Sequence, residues 1–206
     1  MTPDDFIKNG PQKPEDLIGK GQTIARLFID KVKSGVVSPI KILCYGQPGI
    51  GKSATCKIIA RALVRHSSEM RHMSAKAISV DHIKDWMQDF AYVSDQWRVY
   101  LIEEVDEVNS DVETLLLHFM DELPDRSAIL VTSNEKMSGI EDRFQSRCRT
   151  FKFERHPAKE VEKFLLSRWP ELGEAAREIA ESTNGDVRAS LNDAALELDN
   201  RKYGKK

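Results

Sequence analysis

The residues from Gly46 to Ser53 form a glycine-rich run that ends in a lysine and a serine, Gly-Gln-Pro-Gly-Ile-Gly-Lys-Ser. The run follows an apolar segment that predicts a buried strand, and it precedes a segment with helical apolar spacing. Glycines permit a tight loop whose backbone N–H groups converge on an oxyanion, and the next helix adds partial positive charge. Lys52 can bridge the β- and γ-phosphates of a nucleoside triphosphate, and the Ser53 hydroxyl can bind Mg²⁺. The sequence therefore predicts a phosphate loop; the alternative is a glycine-rich turn with an accidental Lys-Ser.

A second group of chemically capable residues lies at the end of another apolar run. Residues 99–102 are apolar, and Glu103 and Glu104 follow them directly. A buried strand that ends in acids places them at the carboxyl edge of a parallel sheet, where ligands bind. Glu103 is then the metal-side carboxylate, and Glu104 is the base that polarises a water molecule. A solvated acidic turn, or an alignment that uses Asp106 and Glu107 instead, is the alternative.

Short apolar runs alternate with helical patterns, and this alternation indicates how the chemical groups are positioned. Runs that predict strands occur at 40–45, 77–80, 98–102, 128–132 and 150–153. Strands that alternate with helices are typical of a parallel sheet covered on both faces. We therefore expect an α/β fold with a five-stranded parallel sheet flanked by helices.

The pattern becomes entirely helical in the last quarter of the chain. Asn184-Gly185 ends one helical segment there, and Asp186 is placed to cap the next. We therefore divide the chain into an α/β nucleotide-binding domain, residues 1–155, and a small all-helical domain, residues 156–206. The helical domain is expected to end in a frayed basic tail at 201–206.

Three local features complete the secondary-structure prediction. Residues 1–22 are rich in proline and glycine and predict an extended lead-in with turns. Asp81 is predicted to cap a helix that runs to Phe90. Ser110 and Glu113 form a capping-box pattern ahead of a further helix.

The ordered motifs resemble those of the AAA+ ATPases and, among them, the clamp-loader subunits of the replication factor C and DNA polymerase III gamma type. The resemblance extends from Asp16 to Asn200, nearly the whole chain. It equates Gly46–Ser53 with the Walker A element and Val99–Glu104 with Walker B, and it implies a P-loop NTPase that uses ATP and Mg²⁺. Asp16–Gly19 resembles the family segment that packs near the adenine. The implied nucleotide contacts are Ile18, Gly46, Gln47, Pro48, Gly49, Ile50, Gly51, Lys52, Ser53 and Ala54, and the implied metal contacts are Ser53 and Glu103.

Three further motifs have counterparts in the same family. Asn134 follows a predicted strand and resembles sensor 1, so it is implied to orient the attacking water or to contact the γ-phosphate. Ser146-Arg147-Cys148 is similar to the clamp-loader signature whose arginine reaches into the neighbouring subunit's site, so Arg147 is implied to act in trans. Gly185-Asp186-Val187-Arg188 resembles sensor 2, which gives Arg188 a role in its own subunit. With Glu104, these residues form the predicted catalytic set. A turn asparagine, a basic surface stretch and a surface arginine are the plainer alternatives.

The sequence departs from the family pattern at three points. Glu103 stands where Walker B usually has aspartate, and this longer side chain leaves slow or partner-dependent hydrolysis open. No four-cysteine zinc module follows the phosphate loop. The resemblance covers no C-terminal collar, so assembly is expected through the AAA+ faces, through nucleic acid or through another protein.

The resemblance implies an ATP-binding and ATP-hydrolysing oligomer subunit of clamp-loader type that acts on DNA in replication or repair. A neighbouring subunit is expected to complete its active site. The expected partners are like or unlike subunits, DNA, and a sliding clamp or another replication protein. Two alternatives stay open: a helicase loader, initiator or transposition regulator, and an ATP-dependent assembly switch with little turnover.

The composition of the chain excludes several other classes of protein. The 206 residues are 40% hydrophobic and 31% charged, which excludes a wholly disordered chain. Lysine and arginine number 31 against 33 acidic residues, so any DNA contact must come from a local basic patch. Apolar runs fall short of the ~18 residues that a membrane helix needs, and the acidic start lacks the apolar core of a signal peptide. The cysteines Cys44, Cys56 and Cys148 suit a reducing interior, and we expect a cytoplasmic protein of a bacterial or virus-infected cell, or a nuclear one in a eukaryote.

Overall fold

A parallel β-sheet organises most of the molecule. The computed structural model describes residues 2–92, 94–134 and 140–204. Within these residues, five strands pair in the order β2-β3-β4-β1-β5, and every pair is parallel. The strands are β1 (Ile40–Tyr45), β2 (Met70–Ser74), β3 (Arg98–Glu103), β4 (Ser127–Ser133) and β5 (Arg149–Lys152). The carboxyl ends of all these strands therefore meet at one edge of the sheet, as the predicted α/β class requires.

Helices follow the strands along the chain and continue beyond the last strand. The helices of the described residues are α1 (Pro3–Asn9), α2 (Lys20–Lys33), α3 (Lys52–Leu63), α4 (Val80–Gln88), α5 (Ser110–Asp121), α6 (Ile140–Gln145), α7 (Ala158–Arg168), α8 (Ala175–Ser182) and α9 (Val187–Tyr203). We call the group α7–α9 the lid. None of the helices in the ranges described above is both long enough and apolar enough to span a lipid bilayer.

Each face of the sheet packs against its own pair of helices. One face packs on α2 and α3 through residues such as Phe28 and Ile59, and the other packs on α4 and α5 through residues such as Trp86 and Phe119. Every residue of β4 is buried, because this central strand is covered on both faces. The apolar runs of the sequence thus hold the carboxyl edge of the sheet rigidly in place.

The lid has a separate apolar core, and α1 contributes to it. Phe6 of α1 packs edge-to-face on Phe164 and Trp169 of the lid region, with ring centres 6.0 and 5.9 Å away. The Arg168 guanidinium lies 4.7 Å from the centre of the Phe6 ring, a cation–π contact. The division into domains at residues 155 and 156 stays a prediction, but the start of the chain packs with the lid.

The edge strand β2 corrects one prediction from the sequence. Residues 77–80 do not form a strand; Met70–Ser74 does, and Ala75–Ala77 is a 3-10 turn. Ser79, not Asp81, caps α4, since its side chain accepts a hydrogen bond from the His82 N–H. An edge strand pairs on one side only and tolerates polar residues such as Arg71, so it lacked the continuous apolar signal sought in the sequence.

Three further predictions are wrong in detail. The lead-in over residues 1–22 contains helix α1, which Thr2 caps by accepting from the Asp5 N–H. Helix α5 has Asn109 at its N-cap, with no side-chain capping bond. The predicted frayed tail is helical through Tyr203, because α9 continues that far; Lys205 and Lys206 lie outside the described residues.

Candidate nucleotide site

A pocket of about 420 Å³ opens at the carboxyl edge of the sheet, between the phosphate loop and α9. Its polar lining brings together residues from four separate stretches of the chain: Lys52, Ser53, Glu104, Thr132, Asn134 and Arg188. Pro48, Gly49, Gly51 and Ala54 of the phosphate loop line it as well. Sequence motifs that lie far apart along the chain thus converge on one cavity, because parallel strands bring their carboxyl ends together.

The phosphate loop depends on glycine at two points of close approach. Gly46 has φ +138°, and a Cβ there would collide with the Phe153 carbonyl oxygen. Gly49 has φ +80°, and a Cβ there would collide with the carboxylate of Asp186 in the lid. A side chain at either position would push the loop away from its neighbours, so these glycines fix the loop against both the sheet and the lid.

Lys52 lies inside the loop rather than in solvent. Its ammonium donates to the carbonyl oxygens of Gly46 and Gln47 at 2.6 Å each, and it lies 3.4 Å from Asn134 Oδ1. The residue is 7% exposed, and this burial lowers the pKa of its ammonium below the ordinary value. The contact with Asn134 joins the phosphate loop directly to the predicted sensor 1 residue. The positively charged ammonium of Lys52, a strong hydrogen-bond donor, suits the anionic oxygens of a triphosphate.

Glu104 is turned into the pocket by its backbone. Its φ of +59° is left-handed, a conformation that costs a non-glycine residue about 1–2 kcal/mol. A hydrogen bond from the Glu104 N–H to Thr132 Oγ1, at 3.2 Å, links this bend to β4. The strand end and the bend therefore separate the two neighbouring carboxylates, and Glu104 is the one that lines the pocket.

Asp106 belongs to the same group of residues. Its Oδ1 accepts a hydrogen bond from the Asn134 N–H at 3.1 Å, so it fixes the start of the segment after β4. Its negative charge also opposes the lowering of the pKa of Lys52. From the sequence alone, Asp106 was only an alternative to the predicted metal carboxylate. Its position two residues after Glu104 was the available signal for a supporting role.

Glu103 is not among the residues that line the pocket, and it is paired within the chain. Lys57 Nζ of α3 lies 2.9 Å from its Oε1, and His72 Nε2 of β2 lies 3.5 Å from its Oε2. Burial raises the pKa of the Glu103 carboxyl, but the ion pair with Lys57 and the nearby His72 together outweigh burial, and the net effect is a lowered pKa. The metal role of Glu103 stays a prediction.

The residues that could hold Mg²⁺ are few. Ser53 lines the pocket beside Lys52, and its contact with Mg²⁺ stays a prediction. In the described part of the chain, no group of three or more His, Cys, Asp or Glu side chains is arranged to hold a metal ion by itself. The Ser53 hydroxyl suits Mg²⁺, a hard cation that prefers oxygen ligands; it would be the protein ligand of such an ion here, and the ion would supply positive charge to bound phosphates.

Arg147 is held on a different part of the surface. Its Nε lies 3.0 Å from Asp121 Oδ1 and its Nη2 lies 3.0 Å from Asp121 Oδ2, while Nη1 donates to the Arg143 carbonyl at 3.2 Å. Arg147 is not among the described residues that line the pocket. Its own chain therefore does not bring this arginine to its own phosphate loop.

The phosphate loop and the lid are joined by backbone hydrogen bonds. The Gly49 carbonyl accepts from the N–H groups of Val187 at 3.1 Å and Arg188 at 3.3 Å, in the first turn of α9. Asp186 caps this helix, as predicted, by accepting from the Ala189 N–H at 3.0 Å. Arg188 is thereby positioned at the pocket.

Arg155 and His156 strengthen this joint, and the sequence did not single them out as site residues. Arg155 Nε donates to Gln47 Oε1 at 2.5 Å, and its Nη1 donates to the Asn184 carbonyl at 3.1 Å. His156 Nε2 lies 3.3 Å from the Ile50 carbonyl oxygen. Their position between the last strand and the lid was the signal that could have identified them. Gln47 is not among the residues that line the pocket, and its contact with a nucleotide stays a prediction.

A smaller apolar pocket of about 90 Å³ adjoins the loop. Ile18 and Ile50 line it, together with lid residues such as Phe164 and Leu191. Ile18 was predicted to lie near the adenine, and this lining suits the flat apolar faces of a nucleobase.

The chain is similar in sequence to subunits of replication factor C. Replication factor C small subunit 1 of Pyrobaculum islandicum is 26% identical over 199 residues, which cover 91% of this chain and 59% of that protein. Replication factor C subunit 3 of Saccharomyces cerevisiae is 24% identical over 199 residues, which cover 90% and 57%. This chain therefore spans less than two thirds of the length of these relatives.

A similarity to solved structures supports the fold alone. The RuvB Holliday junction branch migration motor of Thermotoga maritima matches with a TM-score of 0.68 and 20% identity, over 93% of this chain and 65% of that one. A single-substitution variant of the same motor matches with a TM-score of 0.70 and 19% identity, over the same shares of the two chains.

The strand order, the phosphate loop and the helical lid define an AAA+ ATPase fold, and the similarity to replication factor C subunits makes it clamp-loader-like. The sequence model of the family described as "DNA polymerase III, delta subunit" matches residues 39–157, more than half of the 206 residues. The chain belongs to this family.

Proposed function

We propose that the chain binds ATP with Mg²⁺ at the Lys52 pocket and hydrolyses it as one subunit of an oligomer that acts on DNA in replication. Arg147 of a neighbouring subunit completes the site. The oligomer contains like or unlike subunits and contacts a sliding clamp or another replication protein. The replication factor C names of the relatives support this direction.

The convergence of Lys52, Glu104, Asn134 and Arg188 on one cavity is the observation that carries the proposal. Lys52 and Arg188 neutralise phosphate charge from two sides. Glu104 accepts the proton of the attacking water, and Asn134 orients that water. Mg²⁺, held by Ser53, supplies additional neutralisation of the phosphates when it is bound.

The location of Arg147 supports action in trans. Its guanidinium keeps two N–H donors beyond those used by Asp121 and the Arg143 carbonyl, counted from the five that an arginine carries. Such donors stabilise the charge that develops on a transferring phosphoryl group, and an arginine finger contributes ~10³–10⁵ in rate.

Mixing two inactive variants tests both parts of the proposal. Lys52→Ala removes ATP binding but keeps the arginine, and Arg147→Ala keeps ATP binding but removes the arginine. We expect each variant alone to lose ATP turnover, and an equal mixture to recover up to about one quarter of the unaltered rate, because random assembly pairs an intact pocket with an intact arginine about once in four interfaces. Turnover is measured as phosphate release with DNA present.

Two results would count against the proposal. Full turnover by Arg147→Ala alone removes the arginine from the mechanism. Unchanged ATP binding by Lys52→Ala removes the pocket itself.

An assembly switch with little turnover is the second candidate function. The pairing of Glu103 with Lys57 favours it, because a carboxylate committed to a lysine contributes less to metal-assisted hydrolysis. ATP binding and ATP-dependent assembly without phosphate release would support this candidate over the first.

A further inference from the structure

Lys57 and Glu103 form an ion pair beside the phosphate loop. Lys57 lies on α3 one helical turn after Ser53, so these two side chains share a face of the helix. The Lys57 ammonium is 2.9 Å from Glu103 Oε1, and His72 approaches Oε2 to 3.5 Å. Both oxygens of the carboxylate are therefore engaged by groups of the same chain.

Water screens the Lys57–Glu103 pair only in part. The Lys57 and Glu103 side chains are 36% and 23% exposed, so solvent weakens their interaction less than it weakens a surface pair.

Lys57 also faces the nucleotide pocket. It lines the same cavity as Lys52, Ser53 and Glu104, whereas Glu103 is not among the lining residues. A fixed positive charge at this place attracts the phosphates of a nucleotide. The same charge reduces the attraction of Glu103 for a divalent cation beside Ser53.

We propose that Lys57 is a resident counter-cation of the nucleotide pocket, a positioning residue that holds Glu103 and supplies part of the phosphate neutralisation that Mg²⁺ would otherwise supply. The inference rests on the proposed function. Nucleotide binding by this chain is accordingly almost independent of Mg²⁺, and removing the Lys57 charge makes it dependent. The longer glutamate at position 103 fits this arrangement, since its reach spans the distance to α3.

Titration of a fluorescent ATP analogue, once in excess Mg²⁺ and once in excess EDTA, tests the proposal. The measured quantity is the ratio of the dissociation constant in EDTA to that in Mg²⁺. We expect a ratio below about threefold for the unaltered chain and above about tenfold for Lys57→Met, because the variant frees Glu103 to attract Mg²⁺ and removes a charge from the phosphates. Lys57→Gln is the second variant, and thermal melting confirms that each protein is folded.

Two controls separate this role from a structural one. Lys84→Met removes an exposed lysine of α4 and should keep the unaltered ratio. The double variant Lys57→Met with Glu103→Gln has no unpaired carboxylate but still lacks the Lys57 charge, so its ratio should fall below that of Lys57→Met and stay above that of the unaltered chain.

Equal ratios for the unaltered chain and both Lys57 variants would overturn the proposal, as would a large ratio in the unaltered chain. If the unaltered chain binds the analogue in neither condition, the proposed function itself fails.

Discussion

The role of a single side chain in this molecule depends mainly on the backbone and the neighbouring residues that hold it in place. Glu104 reaches the pocket because a left-handed backbone bend, tied to Thr132, separates it from Glu103. The candidate site residues could be identified from the sequence, because a lysine after a glycine loop and acids after an apolar run have few other chemical uses. Their partners were not readable, since Asp106 and Lys57 meet Asn134 and Glu103 only after the sheet has formed.

Asp121 offers a test at the residue scale. It fixes the Arg147 guanidinium through Nε and Nη2, so we expect Asp121→Asn to lower ATP turnover of the assembled protein about three- to tenfold by misaligning the arginine. The free energy of unfolding should change by less than about 1 kcal/mol, because exposed ion pairs contribute little. Nucleotide affinity should be unchanged. Asp125→Asn is the matched control, and faster turnover by Asp121→Asn would mean that Asp121 restrains the arginine instead.

Elements were predictable where a strong apolar pattern coincides with burial on both sides. The central strands β1, β3 and β4 lie where their apolar runs predicted them. The edge strand β2 was missed and α1 was taken for a lead-in, because one-sided pairing and dependence on the lid leave only weak local signals. The joint between the loop and the lid was also missed, since its backbone hydrogen bonds carry no signature in residue types.

Arg155 tests that joint at the element scale. Arg155→Ala removes the hydrogen bonds that join Gln47 of the phosphate loop and the Asn184 carbonyl through Arg155. The first turn of α9 should therefore separate more often from the phosphate loop. We expect amide hydrogen exchange of Val187 and Arg188 to accelerate about tenfold, because both N–H groups depend on the Gly49 carbonyl. Arg177→Ala, which breaks an exposed pair within α8, is the control. Unchanged exchange would show that Arg155 does not hold the lid.

At the scale of the whole molecule, α1 connects the chain start to the lid and to the pocket. Phe6 is 3% exposed in the lid core, and it also lines the nucleotide pocket. The sheet, the lid and α1 therefore form one continuous packing arrangement around the cavity, and loss of one buried side chain should affect both stability and binding.

Phe6→Ala should lower the free energy of unfolding by about 3–5 kcal/mol, the usual cost of truncating a buried phenylalanine. Urea denaturation followed by tryptophan fluorescence measures this change, because Trp169 lies against Phe6. The neighbouring Ile7 is 41% exposed, and Ile7→Ala should cost less than about 1 kcal/mol. Similar costs for the two variants would contradict the packing of α1 on the lid.

The Gly49 carbonyl oxygen accepts two hydrogen bonds from α9, and this has a mechanical consequence. This oxygen accepts from the first N–H groups of α9, so the phosphate loop is attached to the N-terminal end of this helix. The helix has 17 residues and is about 25 Å long. A tilt of about 10° at that end would carry Tyr203 through about 4 Å. A small shift of the phosphate loop would thus be magnified at the far end of α9.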